Sequence, residues 1–465
     1  AYEISLGLVG SEMCIRDRNI KSPSSSWNNS QIIVAASKTL KFTDNQWYTQ
    51  GTLTKTGGSM SLENMVWNLS GNTSYTSDTE IKIKTLLLND HTLALVSADS
   101  DITVTDNMTF DDPTERFNSG DANIILKSSI TMEDGAITST GGTVYLEKGG
   151  SQSGGEFDVT DSTLKLGDDF TKSDGTLTTN EIGTTLEVTD NVTLTSNTAL
   201  PLKGLALNDN TLTLGSGTTD LTVRDPITLD NATEQILANT ADLTLKGLLT
   251  VKKGGITSDN ASLEFTGGIN QTGGELRLNN AQLWLAGVIS KTGGTLQTLD
   301  AETTISADTK ITSNSELSVT SIVLGNNTLE LGNKDSDLAV SGNFSLVGVN
   351  VHLNTGDADL RVEGNVNLAE GKLESTGGTV RFRNTTDQSG SFEFKLGESI
   401  LSLGGYYTKT GGSLESSSAT LSLNDNTTIA SDAAIDFNQL ELNDLTLTLA
   451  DANTCLLYTS DAADE

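Results

Sequence analysis

Apolar and polar residues alternate in short segments along almost the whole chain. Typical segments are Leu243–Leu245, Leu263–Phe265 and Leu283–Leu285, in which two apolar residues flank a polar one. Strict alternation over a few residues predicts a β-strand whose aliphatic side chains lie on one face. Because no apolar stripe with helical spacing reaches a useful length, the pattern predicts an all-β chain.

These segments recur with a period of 20 residues, as the aligned blocks 241–260, 261–280 and 281–300 demonstrate. Turn residues separate them, for example Asn279–Asn280 and Gly293–Gly294. Glycine and asparagine tolerate positive φ at little steric cost. Stacked coils of this length place equivalent residues above one another at ~4.8 Å, the spacing of strands in a sheet.

A longer repeat encloses the short one. The leucine that precedes a recurring turn lies at 88, 207, 324 and 442, in steps of 119, 117 and 118 residues. Lysines before a glycine turn (55, 172, 291, 409) and glutamines (152, 271, 388) keep the same spacing. We therefore predict a right-handed parallel β-solenoid, or β-helix, with about 20 residues per coil and six coils per 118-residue super-repeat. An array of β-sandwiches is the alternative, and the 20-residue spacing disfavours it.

The composition changes abruptly at both ends of the chain. The strings SLGLVGSEMCIRDR and CLLYTSDAADE, which hold both cysteines, resemble translated sequencing adaptors. We expect residues 1–18 and 454–465 to be non-native, 19–47 to form a lead-in segment with a first irregular coil, and 48–453 to form the solenoid. The native part, a fragment of a metagenomic sequence in this interpretation, then has no disulfides and no zinc–thiolate sites.

The charge balance restricts the partners. The chain has 61 acidic and 28 basic residues and a net charge of −33. Nucleic acids and anionic membranes are bound by clustered Lys and Arg, so the composition disfavours both. No run of 18 apolar residues is present in this fragment, so no membrane span is predicted.

The sequence contains few candidate residues for catalysis. Glycoside hydrolysis needs paired carboxylates, and Asp168–Asp169 is the pair to consider. Its position is occupied by Gly287–Val288 and Gly404–Gly405 in the other super-repeats, which indicates a solvated turn. No Gly-His-Gly motif accompanies the pair.

The two histidines also suggest no catalytic or ligand role. His91 takes the place of Asn210 in the next repeat, which is typical of a turn residue. His352 follows the alternation of Val349 and Val351 and is predicted to face outward. With no native cysteine, nucleophilic triads have almost no candidates.

Calcium is the better chemical candidate. Asp99–Asp101 recurs as Asp335–Asp337, and Asp220 lies at the intermediate copy. Two carboxylates two residues apart are able to share a hard cation, so weak Ca²⁺ binding is one hypothesis and Asx-turn capping the other. The tandem calcium-roll motif is absent. We assign no catalytic, cofactor-binding or metal-binding residue and expect no cofactor.

The outward residues exclude a regular threonine array of the kind that binds ice. Asp242, Glu264 and Trp284 interrupt it. Trp284 is the outward aromatic residue best suited to stack on a sugar ring, and packing against a loop is the alternative role.

Strings such as LNDNTLTLGSGTTDLTV (207–223) and KTGGTLQ (291–297) resemble the β-helical passenger and filamentous-haemagglutinin-like regions of bacterial adhesins. The resemblance extends over about residues 37–453. It implies a non-catalytic stalk or contact surface on the bacterial exterior or in the extracellular medium, with a polysaccharide or protein ligand. The alternative is a polysaccharide lyase or glycoside hydrolase whose site lies on the flank of this fragment or outside it. Open β-edges lead us to expect end-to-end self-association.

Overall fold

A computed structural model describes the backbone of residues 12–15, 19–20, 25–42, 46–450 and 454–458. These residues contain strands and turns but no helix. The chain divides into two compact units, Ala1–Asp225 with Thr233–Leu237 and Pro226–Ala232 with Ala238–Glu465. No helix among the described residues is long and apolar enough to cross a membrane.

The strands are short and numerous. In chain order as far as Asp225 they are Glu12–Ile15, Asn19–Ile20, Ser25–Phe42, Gln46–Ser77, Ile81–Leu87, Thr92–Leu95, Ile102–Val104, Met108–Phe110, Arg116–Gly120, Ile124–Leu126, Ile130–Met132, Ala136–Ser139, Thr143–Leu146, Gly150–Asp158, Thr163–Leu166, Phe170–Thr178, Thr185–Val188, Val192–Thr195, Leu200–Leu202, Gly204–Ala206, Thr211–Leu214 and Leu221–Val223. The remaining strands are Ile227–Leu229, Gln235–Asn239, Leu243–Leu245, Leu249–Val251, Gly255–Asp259, Ser262–Phe265, Ile269–Gln271, Glu275–Asn279, Gln282–Lys291, Thr295–Gln297, Glu302–Ser313, Leu317–Val319, Ser321–Val323, Thr328–Leu331, Leu338–Val340, Phe344–Leu346, His352–Gly356, Leu360–Val362, Val366–Leu368, Lys372–Ser375, Thr379–Phe382, Thr386–Gln388, Glu393–Leu396, Ile400–Lys409, Ser413–Glu415, Thr420–Ser431, Ile435–Phe437, Gln439–Glu441, Leu447–Leu449 and Leu456–Tyr458.

Each unit is a β-solenoid in which equivalent residues stack through parallel pairing. In the second unit Leu243 pairs with Leu263 and Leu263 with Leu283. In the first unit Thr143 pairs with Thr163 in the same way. The described residues form about 21 turns of ~20 residues. The predicted all-β parallel solenoid is therefore confirmed, and its handedness stays a prediction.

The alternation places aliphatic residues inside the coil. Leu243, Leu263 and Leu283 have side chains that are at most 1% exposed. Each such residue contributes roughly 1.5–3 kcal/mol when fully buried. Because ordering the backbone of a coil costs more than its few leucines return, a coil depends on its neighbours for stability.

Asparagine explains the recurring LND turn. Asn208 and Asp209 both have positive φ, at 49° and 67°, as a type I′ turn requires. The Asn208 amide also donates to the carbonyl of Val188 in the preceding coil at 3.1 Å. Asn89 and Asn443 make the equivalent bond in other super-repeats.

Glycine pairs mark a second kind of turn, where the coils approach closely. Gly294 has φ of +72°, and a Cβ there would lie 2.3 Å from the carbonyl oxygen of Gly273. The stacked KTGG and QTGG turns thus require glycine for space as well as for conformation.

Some strands bend around a corner and so cover two sides of one coil. Gln282–Lys291 pairs with Ser262–Phe265 through its first half and with Ile269–Gln271 through its second half. Gly287, with φ of +75°, lies at the corner. We call the half that contains Gln282–Leu285 the first side of the coil and the half after the corner the second side.

The segments predicted to be non-native lie mostly outside the described residues. In the first of them only the backbone of Glu12–Ile15 and its parallel pairing with 31–34 are described. In the last, Leu456–Tyr458 pairs with Ile435–Phe437. The proposed domain limits at 18, 47 and 453 stay predictions.

Candidate functional site

The acidic pair Asp168–Asp169 lies in a turn, as predicted. Asp169 accepts the backbone N–H of Thr193 in the next coil at 2.6 Å, and its carbonyl accepts the N–H of Gly150 at 3.0 Å. We predicted Gly404–Gly405 as the counterpart of this pair in the third super-repeat, and that prediction is wrong by one residue. The lysines at the end of the second side align Asp168–Asp169 with Gly405–Tyr406, because Gly405, with φ of +68°, occupies the corner.

The histidines lie where the sequence placed them. His91 is in a turn and donates its backbone N–H to Leu88 at 3.1 Å. His352 faces outward, 29% exposed, with Nε2 3.6 Å from the Glu374 carboxylate. Burial lowers the pKa of His352, and neighbouring Lys372 lowers it further. The inward position implied for Val349 is wrong, because this residue is in a turn and is 74% exposed.

The Asp-Ser-Asp motifs are built around their central serine. Ser336 is buried, and its hydroxyl accepts the backbone N–H of Ser313 at 2.8 Å. The Asp337 carboxylate accepts the N–H of Asp359 at 2.8 Å, and burial raises its pKa. The same serine or threonine cap recurs in other super-repeats, at residues 100, 219 and 454. These caps join one coil to another and are not the Asx-turns that we weighed against calcium, so both hypotheses stay open. The described residues contain no group of three or more His, Cys, Asp or Glu able to hold a metal.

A column of polar side chains runs through the otherwise apolar interior. In the middle super-repeat Gln271 pairs with Lys291, and Lys291 pairs with Ser313 one coil further on. All three are at most 5% exposed. We call this the buried polar column, and it recurs with buried residues at Gln152, Lys172 and Ser196, and at Gln388, Lys409 and Ser431.

Glutamine satisfies part of its own hydrogen bonding inside the coil. The Gln271 amide donates to the carbonyl of Thr295 at 2.8 Å. Gln388 makes the same bond to Ser413 at 2.8 Å and accepts a 2.6 Å bond from the Tyr407 hydroxyl. These bonds tie the second side of one coil to the strand that follows the glycine turn of the next coil, since buried polar groups need partners.

Each buried lysine reaches outward at its tip to a partner in the next coil. Lys409 Nζ donates to Asp432 Oδ1 at 2.6 Å, and Lys55 makes the same contact with Asp78 at 2.6 Å. Lys291 instead donates to the amide oxygen of Asn314 at 2.6 Å. Lys172 likewise donates to the amide oxygen of Asn197. We call these pairs lysine clasps; two have a carboxylate partner and two an amide partner.

The partner of each buried lysine determines whether the charge of its ammonium group is compensated. Burial lowers the pKa of Lys172, against an opposing effect of Asp174, and burial also lowers the pKa of Lys291. Desolvation alone would raise the pKa of Asp78, but hydrogen bonds from Lys55 and from a backbone N–H lower it below its usual value. An amide leaves the ammonium charge uncompensated, whereas a carboxylate neutralises it.

The outward residues of the first side differ completely between super-repeats. Successive rungs carry Ile125, Tyr145, Lys165 and Glu187 in one copy, Thr244, Glu264, Trp284 and Thr304 in the next, and Arg361, Arg381, Ser402 and Ser422 in the third. We call these the first outward columns. They hold a cation–π contact, with Lys165 Nζ 5.3 Å from the Tyr145 ring, and an arginine pair.

The outward residues at the matching rungs of the second side are small and polar by contrast. The rungs carry Thr109, Thr131, Ser151 and Thr171, then Thr228, Thr250, Asn270 and Ser290, then Ser345, Asn367, Asp387 and Thr408. We call these the second outward columns. At other rungs the second side also carries large or charged residues, namely exposed Val288 and Tyr406 and the Lys310–Glu330 pair.

Trp284 faces outward, as predicted, between Glu264 and Thr304 on adjacent strands. It is half-buried and stacks on no other aromatic ring of the described residues. Next to it, Glu264 accepts a 3.4 Å hydrogen bond from Thr244. A flat aromatic surface bordered by hydroxyl and carboxylate groups is suited to contact a sugar.

No family model matches the chain, and the searches of curated proteins and of solved structures likewise return no match.

Sequence reasoning located the lysine and glutamine series but took them only as markers of the repeat. The signal for burial was present, because Lys291 follows Ile289 and Gln271 follows Ile269 at the two-residue spacing of the inward face. Their polar character and the adjacent glycines suggested a turn instead.

Proposed function

We propose that this chain is a non-catalytic structural and adhesive segment of a large secreted or cell-surface protein. In this proposal the solenoid is a stalk, and the first outward columns are its contact surface. The native location is the bacterial exterior or the surrounding medium, and the ligand is a polysaccharide or a protein.

The observation that carries the proposal is the contrast between faces of the same coil. The buried polar column keeps its residue types from one super-repeat to the next, and the second outward columns keep small polar residues, but the first outward columns do neither. A rung that carries Tyr145 in one copy carries Glu264 and then Arg381 in the next two. Such divergence on a constant scaffold is expected where each copy contacts something different.

A column swap tests this proposal. Tyr145→Glu with Lys165→Trp gives the first super-repeat the outward residues of the second, while the interior is unchanged. The matched control, Ser151→Asn with Thr171→Ser, makes the same exchange in the second outward column. Binding of the purified chain to bacterial and host polysaccharides and to extracellular proteins is compared on arrays.

We expect the first swap to change which ligands bind and the control to leave binding unchanged. Equal effects of the two swaps, or none, would contradict a contact surface on the first side. Release of new reducing ends or unsaturated sugars from any polysaccharide would contradict the proposal and favour the enzyme alternative.

A further inference from the structure

In the third super-repeat, the first outward column holds two arginines side by side. Arg361 and Arg381 are paired neighbours on adjacent parallel strands, and the residues that follow them, Val362 and Phe382, are fully buried. Adjacent strands are separated by ~4.8 Å, so the two positive side chains start from neighbouring points on a firmly anchored sheet. Like charges at such positions are destabilising unless something compensates them.

Two nearby arginines have carboxylate partners. Arg361 donates to Glu316 at 3.1 Å and to Glu363 at 3.4 Å. Arg383, two residues beyond Arg381, donates to Glu363 at 2.8 Å. The hydrogen bond and charge of Arg383, with smaller effects of the charges of Arg361 and Arg381, lower the pKa of Glu363, which therefore stays ionised. Both glutamates are thus already engaged.

Arg381 is the guanidinium that remains. It makes no ion pair or side-chain hydrogen bond with the described residues, and its Nε is buried without a partner. This is unexpected in a chain where acidic residues outnumber basic ones by 61 to 28. The residue as a whole is half-buried, so part of its side chain is accessible to solvent.

The rung next to Arg381 is polar and largely covered, because Ser402 is only 9% exposed. Its neighbour on the following strand is Ser402, where the preceding super-repeat has Trp284. Ser402 accepts a 3.0 Å bond from the Asn424 amide, whose own oxygen is buried without a partner. On the next rung Ser422 is half-buried and presents a hydroxyl, and these residues offer no apolar anchor of the type that protein partners use.

We propose that Arg381, supported by Arg361, is a binding site for the carboxylate of a uronate-containing polysaccharide. The planar guanidinium fork matches a carboxylate in bidentate geometry, and the sugar hydroxyls would lie toward Ser422. This inference names the ligand of one column and therefore rests on the proposed contact surface. The net negative charge of the chain opposes an anionic polymer mainly at long range, and physiological salt screens that repulsion beyond about 8 Å.

The probe is polygalacturonate, titrated into the full chain and into variants at physiological ionic strength. Arg381→Gln is compared with Arg277→Gln, a matched control, because Arg277 is an exposed arginine in a 2.6 Å pair with Glu275. Arg381→Lys keeps the charge and removes the fork. Thermal unfolding of each variant confirms that it is folded.

We expect Arg381→Gln to weaken binding at least about tenfold, as loss of a charge-assisted contact should. Arg381→Lys should give a smaller loss, Arg277→Gln no loss, and methyl-esterified polygalacturonate no binding to the wild-type chain. Equal affinity for the esterified polymer, or an unaffected folded Arg381→Gln, would overturn the inference. If polygalacturonate does not bind while another polysaccharide or protein does, the carboxylate site is wrong and the proposed function stands. Cleavage of polygalacturonate would overturn both.

Discussion

The buried polar column and the first outward columns differ in how far their residue types are kept from one super-repeat to the next. Inside, the order Gln, Lys, Ser returns in three super-repeats, although each of these residues is polar in an apolar surrounding. Outside, none of the four rungs in the first outward columns keeps its residue type. The difference teaches that interior polarity is constrained here by the stacking of coils, whereas the outward rungs are free to vary.

The largest effect should come from removing the carboxylate of a clasp. Asp432→Ala leaves the Lys409 ammonium without its ionic partner, and we expect a loss of about 2–3 kcal/mol in the free energy of unfolding. The figure is below that of a fully buried pair because Asp432 is 44% exposed. Urea denaturation measures it, with exposed Asp387→Ala of the second outward column as the control. Equal losses in the two variants would count against the comparison.

Removing an amide partner should cost less. Asn314 accepts from Lys291 at 2.6 Å and donates to the carbonyl of Thr292 at 3.0 Å, so its amide bridges two coils. Asn314→Ala deletes both bonds, but water reaches this exposed turn. We expect a loss of about 1–2 kcal/mol in the same urea measurement. A loss larger than that of Asp432→Ala would reverse the proposed ranking of the clasps.

The amide clasp should also respond to pH. Burial holds the pKa of Lys291 below the ~10.4 of an unfolded lysine. Between these two pKa values the unfolded chain binds more protons, so the contribution of Lys291 to stability rises as pH increases through the folded pKa. Below the folded pKa both states are protonated, and the burial penalty is present in full.

Lys291→Met keeps the apolar stem and removes the titrating group. We expect the stability of the wild type relative to this variant to rise by up to about 1 kcal/mol between neutral pH and pH ~10. Unfolding free energies of both proteins across that range test the prediction. A difference that is constant with pH would show that burial does not perturb this amine.

The smallest effect on stability should come from the outward column. Trp284→Ser introduces the residue of the next super-repeat, Ser402, and we expect a change of about 0.5 kcal/mol or less, as is usual for surface positions. Thermal unfolding measures it, with Leu283→Ser on the inward face as the contrasting variant. A loss of several kcal/mol from Trp284→Ser would mean that this rung is structural.

The sequence was sufficient for the coil because alternation and turn chemistry are local. Leu243, Leu263 and Leu283 are buried as predicted, since each lies in an unbroken three-residue alternation. The inward position of Val349 was wrong because the alternation stops at a turn, which the flanking Gly348 and Asn350 mark. Lys291 and Gln271 were placed at the right period, but their burial depends on Asn314 and on the Thr295 carbonyl, partners that only the stacked coils bring near.

The asparagine turns have a consequence for how such a chain grows. The Asn208 amide binds a carbonyl one coil back, and Asn443 does so 20 residues behind it. A finished coil therefore displays the acceptors that set the turn of the following coil, and it acts as a template for it. Addition or loss of a whole coil preserves this relation, whereas addition of half a coil destroys it. A whole coil is thus the unit by which this chain can lengthen or shorten.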